Sequence, residues 1–155
     1  MGGGRGGVWR EMSVSSLLRT TLPADVQAED LEIVPRGLSH VEVAEMHFAA
    51  LKQNDLDTWL DTIVGEECYH QRNIGFKGPF RGLDWEEGRA KDLKYDCSYR
   101  YKREELVVHP ETDRTLVYDR VYGSVPGYPH GKTFGEVVIT LRQDIGEWRV
   151  ETVQY

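Results

Sequence analysis

The chain has 155 residues, of which 39% are hydrophobic and 29% are charged, and its formal net charge at pH 7 is −7. This length and composition predict one globular domain, and an acidic chain without a basic stripe is not expected to bind nucleic acid. No apolar run approaches the roughly 18 residues that a membrane span needs. Cys68 and Cys97 form no C-x-x-C pair, which fits reduced thiols. We therefore expect a cytoplasmic protein that contacts neither nucleic acid nor membrane.

The chain starts with a glycine-rich stretch, "MGGGRGGVWREM", which has no apolar core of the kind that a secretory signal needs. Glycine-rich segments bury too little apolar surface to offset the entropy lost on ordering. We predict that residues 1–37 form a flexible tail and an irregular lead-in, and that one domain spans residues 38–155.

Two helices are predicted at the start of this domain. Ser39 and Glu42 have the spacing of a capping box, so the first helix should begin at Ser39. Its apolar residues recur with the helical period: Val41, Ala44, Phe48 and Leu51. The second helix should begin at the Asn-Asp pair of residues 54 and 55 and end at Gly65. Its apolar face comprises Trp59, Leu60, Ile63 and Val64.

The stretch "CYHQRNIGFKGPFRG", residues 68–82, is polar at first and then rich in glycine. Its first six residues are compatible with a short strand, in which Tyr69, Gln71 and Asn73 share one face and His70 points the other way. We interpret "IGFKGPFRG" as a loop and "GLDWEEGRAKDL" as a third, short helix.

After this helix the chain is predicted to be all strand. The runs "SYRYKREELVVH", "TLVYDRVYGSV", "TFGEVVITLRQ" and "EWRVETVQY" are separated by the turn "PETDR", a Gly/Pro loop and the turn "DIG". Helices followed by an antiparallel meander predict an α+β fold, with three helices packed on one face of a curved, mostly antiparallel sheet. In the second run, either Asp119 shares an apolar face with its valine neighbours or Tyr118, Arg120 and Tyr122 point inward.

This order of elements resembles the nuclear-transport-factor-2-like superfamily, a cystatin-like cone whose members include ketosteroid isomerase, limonene epoxide hydrolase and the SnoaL-like polyketide cyclases. The resemblance covers residues 38–155. "AALKQNDLDTWL" is similar to the family's A-L-x-x-G-D-x-x-x-L, "YPHGK" to the Pro-Thr-Gly-Lys loop of the SnoaL-like branch, and "DRTLVYDRVYGSVPG" to a strand of that branch. The resemblance implies a conical, partly apolar pocket between sheet and helices, in a homodimer.

The family's catalytic positions leave more than one reaction open. The carboxylate base and the two oxyanion donors of steroid isomerisation fall on Gln71, His47 and Ile139, so that mechanism is not expected. The polyketide cyclases need a single acid that moves a proton, and Asp119 is the candidate, since burial among valines would raise its pKa.

The epoxide hydrolase pattern is matched in part. Tyr69, Gln71 and Asn73 correspond to the residues that hold a water, and "YDRVYG" aligns with the strand that carries the acid. The base position falls on Glu151 or Val153, depending on where the "DIG" turn is gapped.

The sequence thus predicts an enzyme that uses acid-base chemistry on a small lipophilic molecule, without cofactor or metal. The expected catalytic residues are Asp119, Tyr69 and Gln71. The expected substrate-binding residues are His47, Asn73, Arg120, Tyr122, Ile139, Trp59 and Phe48. The alternative is a non-catalytic ligand-binding or dimerisation domain with the same cavity. In that case Asp119 forms a cross-strand ion pair with Arg120 that faces solvent, and His47 is a structural histidine.

Overall fold

The computed structural model describes residues 33–73 and 85–155, and within them the compact unit Arg36–Tyr155 contains four helices and four strands. The helices are α1 (His40–Lys52), α2 (Leu56–Asp61), α3 (Gly65–Asn73) and α4 (Trp85–Tyr95). The strands are β1 (Ser98–Leu106), β2 (Asp113–Val121), β3 (Thr133–Asp144) and β4 (Glu147–Gln154). The predicted loop "IGFKGPFRG" and most of the predicted tail, residues 1–37, lie outside the described residues.

The strands form one antiparallel sheet in the order β1-β2-β3-β4. The register shifts once in each ladder, and such bulges bend the strands that carry them. One face of the sheet packs on the helices, and the shared core is apolar. From the sheet it takes Leu116, Tyr118, Val137, Ile139, Leu141, Val150 and Val153, and from α1 and α2 it takes Val43, Ala44, Phe48, Leu51, Trp59 and Leu60. The predicted α+β architecture, with helices on one face of an antiparallel sheet, is confirmed.

Both predicted helix starts are confirmed by their caps. The Ser39 hydroxyl accepts a hydrogen bond from the Glu42 N–H, and the Glu42 carboxylate accepts one from the Ser39 N–H, at 3.1 and 2.9 Å. Asp55 caps α2 by accepting from the Thr58 N–H at 3.2 Å. Ile63 and Val64 are buried as predicted, although α2 has already ended and Ile63 forms a bridge with β4.

The interpretation of "CYHQRN" as a strand is wrong, because these residues complete helix α3, so that the described chain has four helices and not three. Gly65 begins this helix instead of ending the previous one: its N–H donates to Oδ2 of Asp144, the last residue of β3, at 2.7 Å. Acidic residues occupy the first turn and basic residues the last, which complements the helix dipole. The helix has too few apolar residues to show a helical period, so its pattern resembled a strand as easily.

No helix within residues 33–73 and 85–155 has both the length and the apolar character that crossing a membrane requires.

The turn that caps α3 also yields a stability prediction. Ile145 and Gly146 have φ values of 52° and 79°, the left-handed pair of a type I′ hairpin, in which a β-branched residue is strained. Ile145 is 94% exposed, so its replacement loses no packing. We expect Ile145→Asn to raise the free energy of unfolding by about 1 kcal/mol, measured by urea denaturation. Ile145→Val keeps the branched carbon and should give no gain; equal stability of the two variants would contradict the prediction.

Candidate active site

A buried carboxyl group lies where α4 meets the sheet. Trp85, Gly88 and Asp92 are spaced three and four residues apart, so they share the buried side of α4. Asp92 is 5% exposed. Its Oδ1 accepts hydrogen bonds from the Tyr99 hydroxyl and from the Cys97 thiol, whose Sγ is 3.2 Å away. Its Oδ2 is buried and has no hydrogen-bond partner among the described residues.

The protonation states in this cluster follow from burial. Burial raises the pKa of Asp92, although the hydrogen bonds from Tyr99 and Cys97 and the charges of Lys52 and Arg120 oppose the shift. Burial and the neighbouring carboxylate raise the pKa of Cys97 to about 11, and burial also raises the pKa of Tyr99. The thiol and the phenol therefore stay protonated at neutral pH and act as donors, while the raised pKa of Asp92 makes its protonated form more accessible than that of an ordinary aspartate.

Aromatic side chains surround this carboxyl group. Tyr99 stacks on Phe48 with ring centroids 4.2 Å apart, and Phe48 meets Tyr118 edge-on at 5.0 Å. Tyr155 approaches from the chain terminus, and Gly88 makes room for it, because a Cβ at Gly88 would lie 2.6 Å from the Tyr155 hydroxyl. The side chains packed around Tyr99 and Asp92 thus combine apolar rings with a few hydroxyl groups, a combination that is compatible with a small lipophilic ligand.

Arg120 lies on the same face of the sheet as Tyr99, its partner across the β1–β2 ladder. The residue is 9% exposed, and its guanidinium carbon lies 4.6 Å from the ring centroid of Phe134. Nε and Nη2 are buried and have no hydrogen-bond partner among the described residues. On β3 the residue opposite Arg120 is Gly135, and a Cβ added there would have no described heavy atom within 4 Å outside its two chain neighbours. The sequence left open which residues of β2 point inward. The structure decides this: Tyr118 and Arg120 face the helices.

Asp119 points away from the helices, so the hypothesis of an inward acid at this position is corrected. Its partners across the ladders are Arg100 and Glu136, and its carboxylate lies 3.6 Å from Arg100 Nη2 and 3.8 Å from Lys102 Nζ. The alternation of side chains along a strand is the reason, since neighbouring residues occupy opposite faces. Asp119 thus takes part in an ion-pair network on the far face, with Arg100 and Lys102 and not with Arg120.

A second polar group in the core is His47. Its Nδ1 lies 2.7 Å from the Thr62 hydroxyl, which itself donates to the Trp59 carbonyl at 2.6 Å. Because that hydroxyl has given its hydrogen to Trp59, it must accept from His47, and the hydrogen of the neutral ring therefore sits on Nδ1. Burial lowers the pKa of His47 to about 3, so the imidazole is neutral at pH 7. Nε2 is then an acceptor, and it has no partner among the described residues.

Tyr69, Gln71 and Asn73 do not all share one face, because they lie on a helix and not on a strand. The Tyr69 side chain is 67% exposed, and Asn73 is exposed on the same side, where its Nδ2 donates to the Tyr69 carbonyl at 2.8 Å. Gln71 points into the protein, where its Nε2 lies 3.5 Å from Glu67 Oε2.

Of the other predicted substrate-binding residues, Ile139, Trp59 and Phe48 belong to the core. Tyr122 is half-buried and stacks on Phe134 at 4.1 Å, beside Tyr95 and Tyr128.

Asp92, which lies at the centre of the candidate site, was not among the residues predicted from the sequence. A signal was present: in "WEEGRAKDLKY" the aspartate follows Trp85 and Gly88 at helical spacing, so a charged residue occupies a position on the buried stripe. Within residues 33–73 and 85–155, no group of three or more His, Cys, Asp or Glu side chains is placed to hold a metal ion.

No protein-family model matches this chain, and no match was found among curated proteins. Several solved structures resemble it. An NTF2-like protein of unknown function from Shewanella oneidensis MR-1 is 15% identical, with a TM-score of 0.44, and the alignment covers 73% of this chain and 92% of that chain. A cystatin-fold protein from Novosphingobium aromaticivorans is 17% identical, with a TM-score of 0.43 and coverage of 76% and 97%. A provisionally assigned polyketide cyclase from Sinorhizobium meliloti is 11% identical, with a TM-score of 0.42 and coverage of 75% and 97%.

These structures carry the same fold descriptions, NTF2-like and cystatin-like, to which the sequence resemblance pointed. Likeness of fold does not specify a reaction.

The buried neutral His47 predicts a dependence of stability on pH. Its pKa in the folded protein, about 3, lies below the ordinary value of 6.5 that applies on unfolding, so the unfolded chain binds more protons as the pH falls. Between these two values His47 should lower the free energy of unfolding by about 1.4 kcal/mol for each pH unit of acidification. His47→Asn keeps an N–H donor for Thr62 but does not ionise. Urea denaturation at several pH values should therefore show a shallower slope for the variant, and identical slopes would contradict the prediction.

Proposed function

We propose that this protein is a cofactor-independent enzyme that moves a proton on a small lipophilic substrate, with Asp92 as the catalytic base and acid. One observation carries the proposal: a buried carboxyl group whose Oδ1 is held by two donors, Tyr99 and Cys97, while its Oδ2 has no described partner. Burying a carboxyl group and leaving one oxygen without a hydrogen bond is costly for a structural residue. Such a group is well suited to exchange a proton with a ligand, because its raised pKa brings it closer to neutral pH.

The chemistry that fits this arrangement is enolisation. Oδ2 of the ionised Asp92 takes a proton from a carbon next to a carbonyl group, and the electron pair of the C–H bond moves into the enolate. Asp92 then returns the proton to another carbon in an isomerisation. In a cyclisation the enolate carbon forms a bond to a second carbonyl carbon, the electron pair of that C=O π bond moves to its oxygen, and Asp92 gives the proton to this oxygen to form a hydroxyl group. The fixed positive charge of Arg120 lies close enough to affect the pKa of Asp92, and it would stabilise negative charge on the substrate.

Tyr99 acts as a positioning residue in this proposal. Its hydroxyl donates to Oδ1 of Asp92 and its ring is held by stacking on Phe48. The hydrogen bond fixes the rotation of the carboxyl group, so that Oδ2 is the oxygen that meets the substrate. It also lowers the pKa of Asp92 relative to burial alone, which keeps the base in its ionised form over a wider pH range.

Exchange of substrate protons with solvent tests the role of Asp92. The protein is incubated in D₂O with a β,γ-unsaturated steroid ketone, an aryl alkyl ketone and an aryl epoxide. Deuterium uptake and ring opening are followed by mass spectrometry, and the rates in buffer alone are subtracted. We expect Asp92→Asn to lower the exchange rate by about 100-fold or more, while the amide oxygen still accepts from Tyr99 and Cys97. Asp119→Asn is the matched control on the far face of the sheet, and its rate should be unchanged.

If Asp119→Asn lowers the exchange rate and Asp92→Asn does not, Asp119 is restored as the acid. Compounds that bind to the protein but show no exchange or ring opening, with parent and both variants alike, would favour the non-catalytic ligand-binding domain. Epoxide opening that depends on Asp92, without exchange on the ketones, would assign the site to hydrolysis and overturn enolisation.

Removal of the Tyr99 hydroxyl should shift the pH dependence of the reaction. Since the hydrogen bond from Tyr99 lowers the pKa of Asp92, Tyr99→Phe should raise that pKa and move the acidic limb of the pH–rate profile to higher pH. The ring and its stacking on Phe48 are kept. A profile that falls in rate at every pH without moving along the pH axis would contradict the role given to this hydrogen bond.

A further inference from the structure

The guanidinium group of Arg120 is a buried cation with unused donors. Nε and Nη2 are both inaccessible to solvent and find no hydrogen-bond partner within residues 33–73 and 85–155. Arginine cannot lose its proton in a protein, so this charge cannot be removed by a shift in protonation. Leaving donors of a permanent cation unpaired in the interior is costly, which calls for a reason other than stability.

The orientation of the group indicates what it can bind. The central carbon of the guanidinium group lies over the ring of Phe134, 4.6 Å from the ring centroid. The two unpaired atoms, Nε and Nη2, form one edge of the planar fork, and their N–H groups point in parallel. A carboxylate matches this edge with two parallel hydrogen bonds, whereas a single carbonyl oxygen satisfies only one donor fully.

There is room for a ligand on the strand beside Arg120. Gly135 is the ladder partner of Arg120 on β3, so a side chain there would point to the same face of the sheet. A Cβ placed on Gly135 would have no heavy atom of the described chain within 4 Å, apart from its chain neighbours Phe134 and Glu136. In a strand, glycine often marks a place where a ligand approaches the backbone closely. The open space and the unused donors therefore belong to paired residues on the same face of the sheet.

The other basic side chains of this part of the sheet are already paired. Arg100 and Lys102 lie on the opposite face, where both contact Asp119, and Lys102 also contacts Glu136. On the helix-facing side, the charge of Arg120 lowers the pKa of Asp92, but the two side chains form no direct hydrogen bond. Oδ2 of Asp92 also lacks a described partner. The Nε–Nη2 edge of Arg120 and Oδ2 of Asp92 thus both lack a described partner on the helix-facing side of the sheet.

We infer that Arg120, together with the open side of β3 at Gly135, is a subsite for a carboxylate group of the substrate. The inference deepens the function proposed above, because it names the charged group carried by the molecule on which Asp92 acts: a small lipophilic carboxylic acid. Binding at this subsite does not itself require catalysis. A bound carboxylate would also make Asp92 a stronger base, since a neighbouring negative charge raises the pKa of a carboxyl group.

A pair of probes that differ only in charge tests the subsite. Naphthalene-2-carboxylate and naphthalene-2-carboxamide are titrated into the full chain by isothermal titration calorimetry, up to millimolar concentration. We expect the carboxylate to bind about 10- to 100-fold more tightly than the amide, the range expected for hydrogen bonds to a charged group. Arg120→Gln should abolish this preference. Arg120→Lys, which keeps the charge but not the fork, should retain only part of it.

Two further variants separate the subsite from general effects of charge and folding. Gly135→Val fills the open space without touching the arginine, and it should weaken binding of both probes. Arg100→Gln removes an exposed arginine on the far face and should leave both affinities unchanged. Circular dichroism and thermal unfolding establish that each variant is folded, and a folded Gly135→Val keeps the subsite open to test if Arg120→Gln does not fold.

Equal affinity for the two probes, or no binding of the carboxylate, would overturn the subsite, as would an equal loss of affinity in Arg100→Gln. The proposed function fails separately. Carboxylate binding without deuterium exchange on any compound would leave the subsite in place and remove the catalytic role of Asp92. Exchange on neutral ketones without a carboxylate preference would retain Asp92 as the base and remove the subsite.

Discussion

The antiparallel register between β1 and β2 decides which side chains enter the candidate site. In this ladder Tyr99 pairs with Arg120, and Arg100 pairs with Asp119. Because opposed residues point to the same face, the first pair joins the helix-facing interior and the second pair joins the ion pairs on the far face. A shift by one residue would exchange the two sets and bring Asp119 inside. The apolar residues on the same strand prevent this shift, since Leu116 and Tyr118 must stay in the core.

Helix α4 supplies the other half of the site. Gly88 lets α4 come close to Leu51 and to the hydroxyl of Tyr155, and the same face of the helix carries Asp92. The carboxyl group of Asp92 thereby reaches the Tyr99 hydroxyl, and the site forms between a helix and a strand that are adjacent in the sequence. The short connection between α4 and β1 also carries Cys97, the second donor to Asp92.

Several features of the interior lower stability. Arg120 keeps two buried donors and Asp92 keeps one buried oxygen without partners among the described residues, although apolar residues of similar volume would pack at lower cost. Natural proteins depart from local rules of stability mainly at functional sites, where an unpaired group is available for a ligand. The unpaired atoms of Arg120 and Asp92 both lie on the helix-facing side of the sheet. On the far face, by contrast, the charged side chains are paired with one another. This difference between the two faces is the physical basis for placing the proposed site on the helix-facing side of the sheet.

The sequence by itself determined the elements whose signals are local. The capping box at Ser39, the cap at Asp55, the apolar stripe of α1 and the strand runs after Ser98 were all predicted, because each depends on residues that are close together in the chain. Helix α3 was not predicted, since the group that caps it is Asp144, far away in the sequence. The sequence could not decide which face of β2 points inward for a similar reason: both faces carry apolar and polar residues, and only packing against α1 and α2 distinguishes them. The position of Asp92 beside Tyr99 and Arg120 depends on the contact between helix and sheet, so the tertiary structure alone decided it.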